Sequence, residues 1–127
     1  MISVLPLKDK SEIKVLFDDF GAQFNEFSCA VVAKSSQEKL GHAIFYLDSE
    51  KMILLDIEPK NDLALADGIL RSALHNAVCA NVMTAYYNDC FPIEILNKLN
   101  FILDENEKTL NISKLFESCC SCADKNT

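Results

Sequence analysis

Residues 51–81 read KMILLDIEPKNDLALADGILRSALHNAVCAN and carry the clearest secondary-structure signal in the chain. The apolar run Met52–Ile57 predicts a strand that ends before Pro59. After it, apolar residues recur at the spacing of an amphipathic helix. They are Ala66, Ile69, Leu70, Ala73, Leu74, Ala77 and Val78. Because a strand that leads into the start of a helix leaves backbone N–H groups free, an anionic ligand is expected first at this junction.

The composition predicts one acidic, globular domain. The chain has 127 residues, half of them hydrophobic, and a net charge of −7 with Arg71 as its sole arginine. A nucleic-acid backbone or an anionic membrane surface needs a basic face, so neither is expected as a partner. No apolar run approaches the length of a membrane span, and the N-terminus lacks the features of a signal peptide. The cytoplasm is therefore the expected location.

The residues on either side of 51–81 predict further strands and helices, which gives an α/β chain with the element order β-α-β-β-β-α-β-α-β-β. Around the segment above, the sequence predicts strands at 2–7, 27–34, 42–48 and 82–87 and a terminal hairpin at 101–103 and 109–116. It predicts one helix within 8–24 and another at 92–99. Ser11 is the predicted N-cap of the first helix, and Gly21 its end. Residues 1–117 form a single predicted domain, and residues 118–127 a polar, mobile tail. An aliphatic sheet edge makes a homodimer plausible.

Three segments in this order resemble the GNAT superfamily of acyl-CoA-dependent N-acetyltransferases. LGHAIFYLDSEKMILLDIEP, ending at Ile57-Glu58-Pro59, is similar to the family's central hairpin and its apolar–any–proline ending. ADGILRSALHNAV resembles the helix that follows the family's pyrophosphate loop, and PIEILNKLNF resembles its late helix, with Leu99 and Phe101 at the matching positions. The resemblance extends from about Ile2 to Phe116.

The resemblance implies a mixed central sheet flanked by helices, acetyl-CoA or another acyl-CoA as ligand, and a small-molecule or peptide amine as acceptor. It assigns the backbone at Leu55 and Ile57 to the pantetheine arm. The family's pyrophosphate loop corresponds to Asp62, Leu63, Ala64, Leu65, Ala66, Asp67 and Gly68. Asn88 or Asp89 is near the family's asparagine that contacts the cofactor. The alternative is that both are ordinary turn residues before Pro92.

The sequence departs from the family's pattern at two chemically demanding positions. No glycine precedes Gly68 where the family has Gly-x-Gly, and Leu and Ala there favour an extra helical turn. As an N-cap, Asp62 would occupy N–H groups that a phosphate needs and would repel its charge. Leu96 stands where the family often has a tyrosine that acts as the acid. A second hypothesis is therefore a catalytically degenerate member that binds a ligand or partner without catalysis.

Asp56 and Glu58 are the candidate catalytic residues. Two residues apart on one strand, they are expected on the same face, beside the place where the resemblance puts the acceptor amine. One of them could take a proton from an ammonium group as a general base. The alternative is a pair of strand-end carboxylates that contributes only to solubility. His42, at a strand start without a visible partner, is expected to be structural.

The tail contains three cysteines within four positions, Cys119, Cys120 and Cys122. Thiols so close together could bind a soft metal ion or exchange disulfides. A tetrahedral zinc site needs a further ligand, and adjacent cysteines suit a single ion poorly. The alternatives are free thiols or a contact between chains, and no metal is assigned.

Overall fold

The computed structural model describes residues 2–112, and the order of its elements is the predicted one. They are β1 (Ile2–Pro6), α1 (Lys10–Phe20), β2 (Ser28–Ser35), β3 (Glu38–Leu47), β4 (Met52–Glu58), α2 (Leu63–Cys79), β5 (Ala85–Tyr87), α3 (Ile93–Leu99), β6 (Ile102–Asp104) and β7 (Thr109–Leu110). The mixed α/β class is confirmed. The three tail cysteines and the last part of the predicted hairpin lie outside the described residues.

The strands form one mixed sheet in the order β1-β2-β3-β4-β5-β7-β6. Neighbouring strands are antiparallel except β4 and β5, which are parallel. Helix α2 connects this parallel pair, as the crossover between parallel strands requires. The β4–β5 pair lies near the middle of the sheet, and β4 contributes apolar side chains to the clusters on both faces.

The helices pack on opposite faces of the sheet. Helix α2 packs on one face, where Ile69 and Leu70 are fully buried together with Phe45 of β3 and Leu54 of β4. Helix α1 covers the other face, where Phe17 forms a smaller apolar cluster. Strand β3 contributes apolar side chains to both faces, Phe45 on the α2 side and Ile44 on the α1 side, as is typical of a strand covered on both faces. Within residues 2–112, none of the helices combines the length and the apolar character that a membrane crossing requires.

Several boundaries differ from the prediction by one to four residues; β5, for example, begins at Ala85 rather than Val82. Two of the differences have local reasons. The N-cap of α1 is Asp9 rather than Ser11, because the Asp9 carboxylate accepts a hydrogen bond of 2.9 Å from the Ser11 backbone N–H. Strand β3 begins at Glu38 rather than His42. Its first residues are exposed and polar, and they continue the backbone ladder with β2 beyond the region that the helices cover. The end of α1 at Gly21, with φ of 91°, is confirmed.

Candidate functional site

A β-bulge in β4 places the two candidate carboxylates on the face that α1 covers. Ile44 of β3 pairs with Asp56, while its neighbour Phe45 pairs with Leu54, so Leu55 is a surplus residue in β4. Leu55 packs in the α1-side cluster, and Asp56 and Glu58 line a cavity on that same side. The expectation that Asp56 and Glu58 share a face is confirmed.

The cavity beside these carboxylates has a volume of about 480 Å³. Its lining residues come from α1, β3, β4 and two loops: Leu16, Asp19, Phe20, Lys39, His42, Asp56, Glu58, Lys60 and Cys90. The side chain of Asp56 is only 11% exposed, whereas that of Glu58 is 47% exposed. Asp56 is therefore held in one position, while Glu58 reaches the solvent at the cavity mouth.

The Lys60 side chain folds back onto this carboxylate pair. Its Nζ atom lies 3.2 Å from Asp56 Oδ1 and forms a second ion pair with Glu58. The same ammonium donates a hydrogen bond of 3.2 Å to the backbone carbonyl of Ile57. Burial alone would lower the pKa of Lys60, but the hydrogen bonds to Glu58 and Asp56 outweigh it and raise the pKa. Lys60 is therefore an ammonium ion at neutral pH, held by three oxygen acceptors.

His42 faces the same cavity from β3. It pairs directly with Glu58 in the β3–β4 register, and directly opposed residues in a sheet project to the same face. Burial, followed by the charge of Lys39, lowers the pKa of His42, although Asp56 and Glu58 act in the opposite direction. The imidazole is therefore neutral at pH 7. It lies next to the negatively charged Asp56 and Glu58 and the positively charged Lys60.

Beyond Leu54, β4 continues without a parallel neighbour among the residues that the structure describes. The Asn88 N–H donates a hydrogen bond of 3.1 Å to the Leu54 carbonyl, but β5 has already ended at Tyr87 while β4 continues to Glu58. The side chains of Leu55 and Ile57 are buried, so only their backbone groups can serve a ligand at this edge. A second cavity of about 210 Å³ lies between the β4–α2 loop and α3. It is lined by Lys60, Asn61, Leu63, Pro92, Glu94, Ile95 and Lys98.

Helix α2 begins without a phosphate-binding loop. Its first residue is Leu63, so the predicted extra helical turn is confirmed and Ala64 to Gly68 lie inside the helix. Asp62 is the N-cap, and its carboxylate accepts a hydrogen bond of 3.1 Å from the Leu65 N–H. Asp67 forms an i,i+4 ion pair with Arg71, at 3.1 Å. The helix start thus binds its own aspartate.

This architecture matches solved structures of acetyltransferases. A ribosomal-protein-alanine N-acetyltransferase from Brucella melitensis aligns with a TM-score of 0.57 at 15% identity, over 78% of this chain and 90% of its own. A GNAT-family acetyltransferase from Streptococcus pneumoniae aligns with a TM-score of 0.53 at 12% identity, over 80% and 88%. The chain has the GNAT fold. An N-acetyltransferase from E. coli, solved bound to coenzyme A, aligns with a TM-score of 0.50 at 11% identity, over 78% and 86%.

The likeness to the GNAT fold is one of structure rather than sequence. No family model matches the sequence, and no curated protein matches it. Of the features that the resemblance implies, the central hairpin and the unpaired end of β4 are present in residues 2–112, while the glycines of the pyrophosphate loop are absent. Leu96, at the position of the family's tyrosine, is fully buried in the core and has no proton to donate.

The other predicted site residues have structural partners. Asn88 accepts a hydrogen bond of 3.1 Å from the Cys90 N–H, which is a turn interaction, and Asp89 forms an ion pair with Lys108. A cofactor role for Asn88 and Asp89 stays a prediction. Within residues 2–112, no group of three His, Cys, Asp or Glu side chains is arranged to hold a metal ion.

The sequence did not predict that Lys60 would contact the two carboxylates, or that His42 would line their cavity. The signal for Lys60 was present, because it follows Asp56 by four residues and Glu58 by two, with a chain-turning Pro59 between. The signal for His42 was weaker. Its role depends on the pairing register with β4, which a single sequence does not reveal.

Proposed function

We propose that this chain is an acyl-CoA-dependent N-acetyltransferase, which transfers an acetyl group from acetyl-CoA to a primary amine. The observation that supports this best is the end of β4. There an open backbone edge lies beside a carboxylate pair at a cavity, within the GNAT fold. The resemblance assigns the edge to the acyl donor and the carboxylates to the acceptor.

The carboxylates act on the acceptor's proton. A primary alkylammonium is protonated at neutral pH and must lose a proton before its nitrogen can attack a carbonyl carbon. Asp56, the more buried carboxylate, is the proposed base, and Glu58 helps to hold the cation. The neutral nitrogen then forms a bond to the acetyl carbon while the carbon–sulfur bond breaks. The second proton that the acylated nitrogen loses passes to the departing thiolate, which leaves as the CoA thiol.

The end of β4 favours acetyl-CoA binding more than the start of α2 does. When bound, it supplies an acetyl group activated as a thioester. The backbone of Leu55–Ile57 needs no particular side chain to pair with an extended arm. Lys60 and Lys98 bring positive charge to the second cavity, but the Asp62 carboxylate at the start of α2 opposes a diphosphate. We therefore expect weaker binding than a glycine-rich loop would provide.

The first prediction concerns acetyl-CoA binding itself. For a dissociation constant near 10 µM, millimolar acetyl-CoA should raise the free energy of unfolding by about 2.7 kcal/mol. That increase corresponds to a rise of several degrees in the melting temperature. Thermal unfolding with acetyl-CoA and with CoA measures it, and chromatography of CoA released in the presence of primary amines measures turnover. Because the chain has six cysteines, thiol-reactive dyes are unsuitable.

Two results would contradict the proposal. If neither nucleotide raises the melting temperature, the chain does not bind acyl-CoA, and the binding-protein hypothesis is favoured. If acetyl-CoA binds but no amine in a broad panel is acetylated, the fold retains a ligand site without catalysis.

The second prediction concerns Asp62. Replacing Asp62 by Ala should lower the free energy of unfolding by about 0.5–2 kcal/mol, because the Leu65 N–H loses its acceptor. The same change should tighten acetyl-CoA binding about two- to fivefold, since it removes a negative charge from the end of a helix dipole. Urea unfolding and calorimetric titration measure the two effects separately.

Asp62→Ser is the matched variant, because serine retains the cap while losing the charge. It should tighten acetyl-CoA binding as Asp62→Ala does, without the loss of stability. Unchanged affinity in both variants would mean that the diphosphate does not lie near the start of α2.

A further inference from the structure

Lys60 separates the two cavities at the end of β4. Within residues 2–112, it is the only residue that lines both the carboxylate cavity of about 480 Å³ and the cavity of about 210 Å³ between the β4–α2 loop and α3. The proposed reaction needs the acceptor from the first cavity to meet the acyl group at the β4 edge. The Lys60 ammonium lies where the two must meet, because it binds the Ile57 carbonyl of that edge.

The contacts of Lys60 are those that an acceptor ammonium needs. Two carboxylates and one carbonyl accept from its Nζ atom, and Asp56, the more buried of the two acids, is 3.2 Å away. A bound ammonium also prevents the proposed base from approaching another cation, since both would compete for the same oxygens. In this state, the Lys60 side chain therefore blocks access of another cation to Asp56 and Glu58.

We propose that Lys60 is an internal occupant of an alkylammonium site, and that a ligand with a primary ammonium on a flexible methylene chain displaces it. The ligand class follows from the occupant, because the lysine side chain is itself such a group. A lysine side chain of a peptide or a small alkylamine has this chemistry. The inference rests on the proposed function only in identifying this ligand as the acetyl acceptor; the binding site stands on the Lys60 contacts alone.

The half-exposed Lys60 side chain makes the closure reversible. Its side chain is 46% exposed, and ion pairs open to solvent are weak enough to be exchanged. A competitor within the chain lowers the apparent affinity for a ligand by the fraction of time for which the site is open. Removing the Lys60 charge should therefore tighten alkylamine binding about five- to tenfold.

The test measures binding of n-butylamine by NMR, without acetyl-CoA. The chain has two histidines, which makes their ring signals easy to assign. His42 lies in the cavity and reports occupancy, while His75 is exposed on α2 and serves as an internal reference. We expect n-butylamine to shift the His42 signals in the natural chain, and to do so at about five- to tenfold lower concentration in Lys60→Gln. The uncharged 1-butanol should leave them unchanged.

A pH titration of His42 gives a second readout. The charged and titratable groups around His42 are Asp19, Lys39, Asp56, Glu58, Lys60 and Cys90. Lys60 lowers the His42 pKa and the two carboxylates raise it, so Lys60→Gln should raise it. Lys60→Arg keeps the charge, so both its His42 pKa and its amine affinity should stay near those of the natural chain.

Lys14→Gln is the matched control, because Lys14 also pairs with an aspartate four residues away, Asp18, but on the exposed side of α1. It should change neither readout. Equal butylamine affinity in the natural chain and in Lys60→Gln would overturn the proposal, as would a lack of His42 shifts in both. Amine binding without acetyl transfer would overturn the proposed function and leave this inference intact.

Discussion

The substitution Gly41→Ala is expected to lower the free energy of unfolding by about 3 kcal/mol or more. A Cβ at Gly41 would lie 2.3 Å from the Glu58 carbonyl oxygen, 2.8 Å from Pro59 Cδ and 2.9 Å from Ile69 Cδ1. The carbonyl belongs to the backbone and cannot rotate away, so the end of β4 would have to move. Urea unfolding measures the change, and the His42 ring signals report movement of the site.

Gly68→Ala is the control for this effect. A Cβ at Gly68 meets no atom within 4 Å, and the residue lies inside α2. Alanine should therefore stabilise the chain by up to about 1 kcal/mol, through its higher helix propensity. A Gly41→Ala chain within about 1 kcal/mol of the natural one would contradict the close approach of β3 to the end of β4.

The substitution Asp56→Asn is expected to lower kcat by about 10²–10⁴-fold, because an amide cannot accept the acceptor's proton. Asparagine keeps the size of the side chain, so the fold and the acetyl-CoA response should persist. Glu58→Gln should have a smaller effect, since Glu58 is more exposed and is proposed only to help hold the cation. Initial rates with a saturating amine, followed across pH, measure both.

Asp18→Asn provides the comparison, since Asp18 is also paired with a lysine but is 57% exposed on α1. It should retain the full rate. If Asp56→Asn and Glu58→Gln both turn over like the natural chain, neither carboxylate is the base, and His42 becomes the next residue to substitute.

The architecture could be predicted because each element carries its own local signal. The strand–proline–helix sequence of β4 and α2 fixes the central crossover, and the apolar spacing from Ala66 onward identifies the buried face of α2. Asp62 could be predicted as a cap because capping depends only on residues within one turn. The errors at Asp9 and Glu38 lie at element ends, where neighbouring residues compete for the same role.

The site was predicted only in part, because its remaining members meet through tertiary structure. Asp56 and Glu58 share a strand, so strand geometry alone puts them together. Lys60 reaches them only because the chain turns back after β4, and His42 only through the β3–β4 register. Neither contact has a periodic signature, and one sequence does not specify which strands are neighbours.

The bulge at Leu55 has a consequence for how the open edge of β4 is encoded in the sequence. A bulge bends its strand and increases the local twist. The β4 bulge lies directly after Leu54, the last residue of β4 that pairs with β5. Leu55 and Asp56 face the same side of the sheet. If Leu55 were removed, β4 would alternate regularly, and each remaining side chain would still face the side that it faces now. The bulge is therefore encoded by the number of residues in β4 rather than by their types, so neither hydropathy nor composition predicts it.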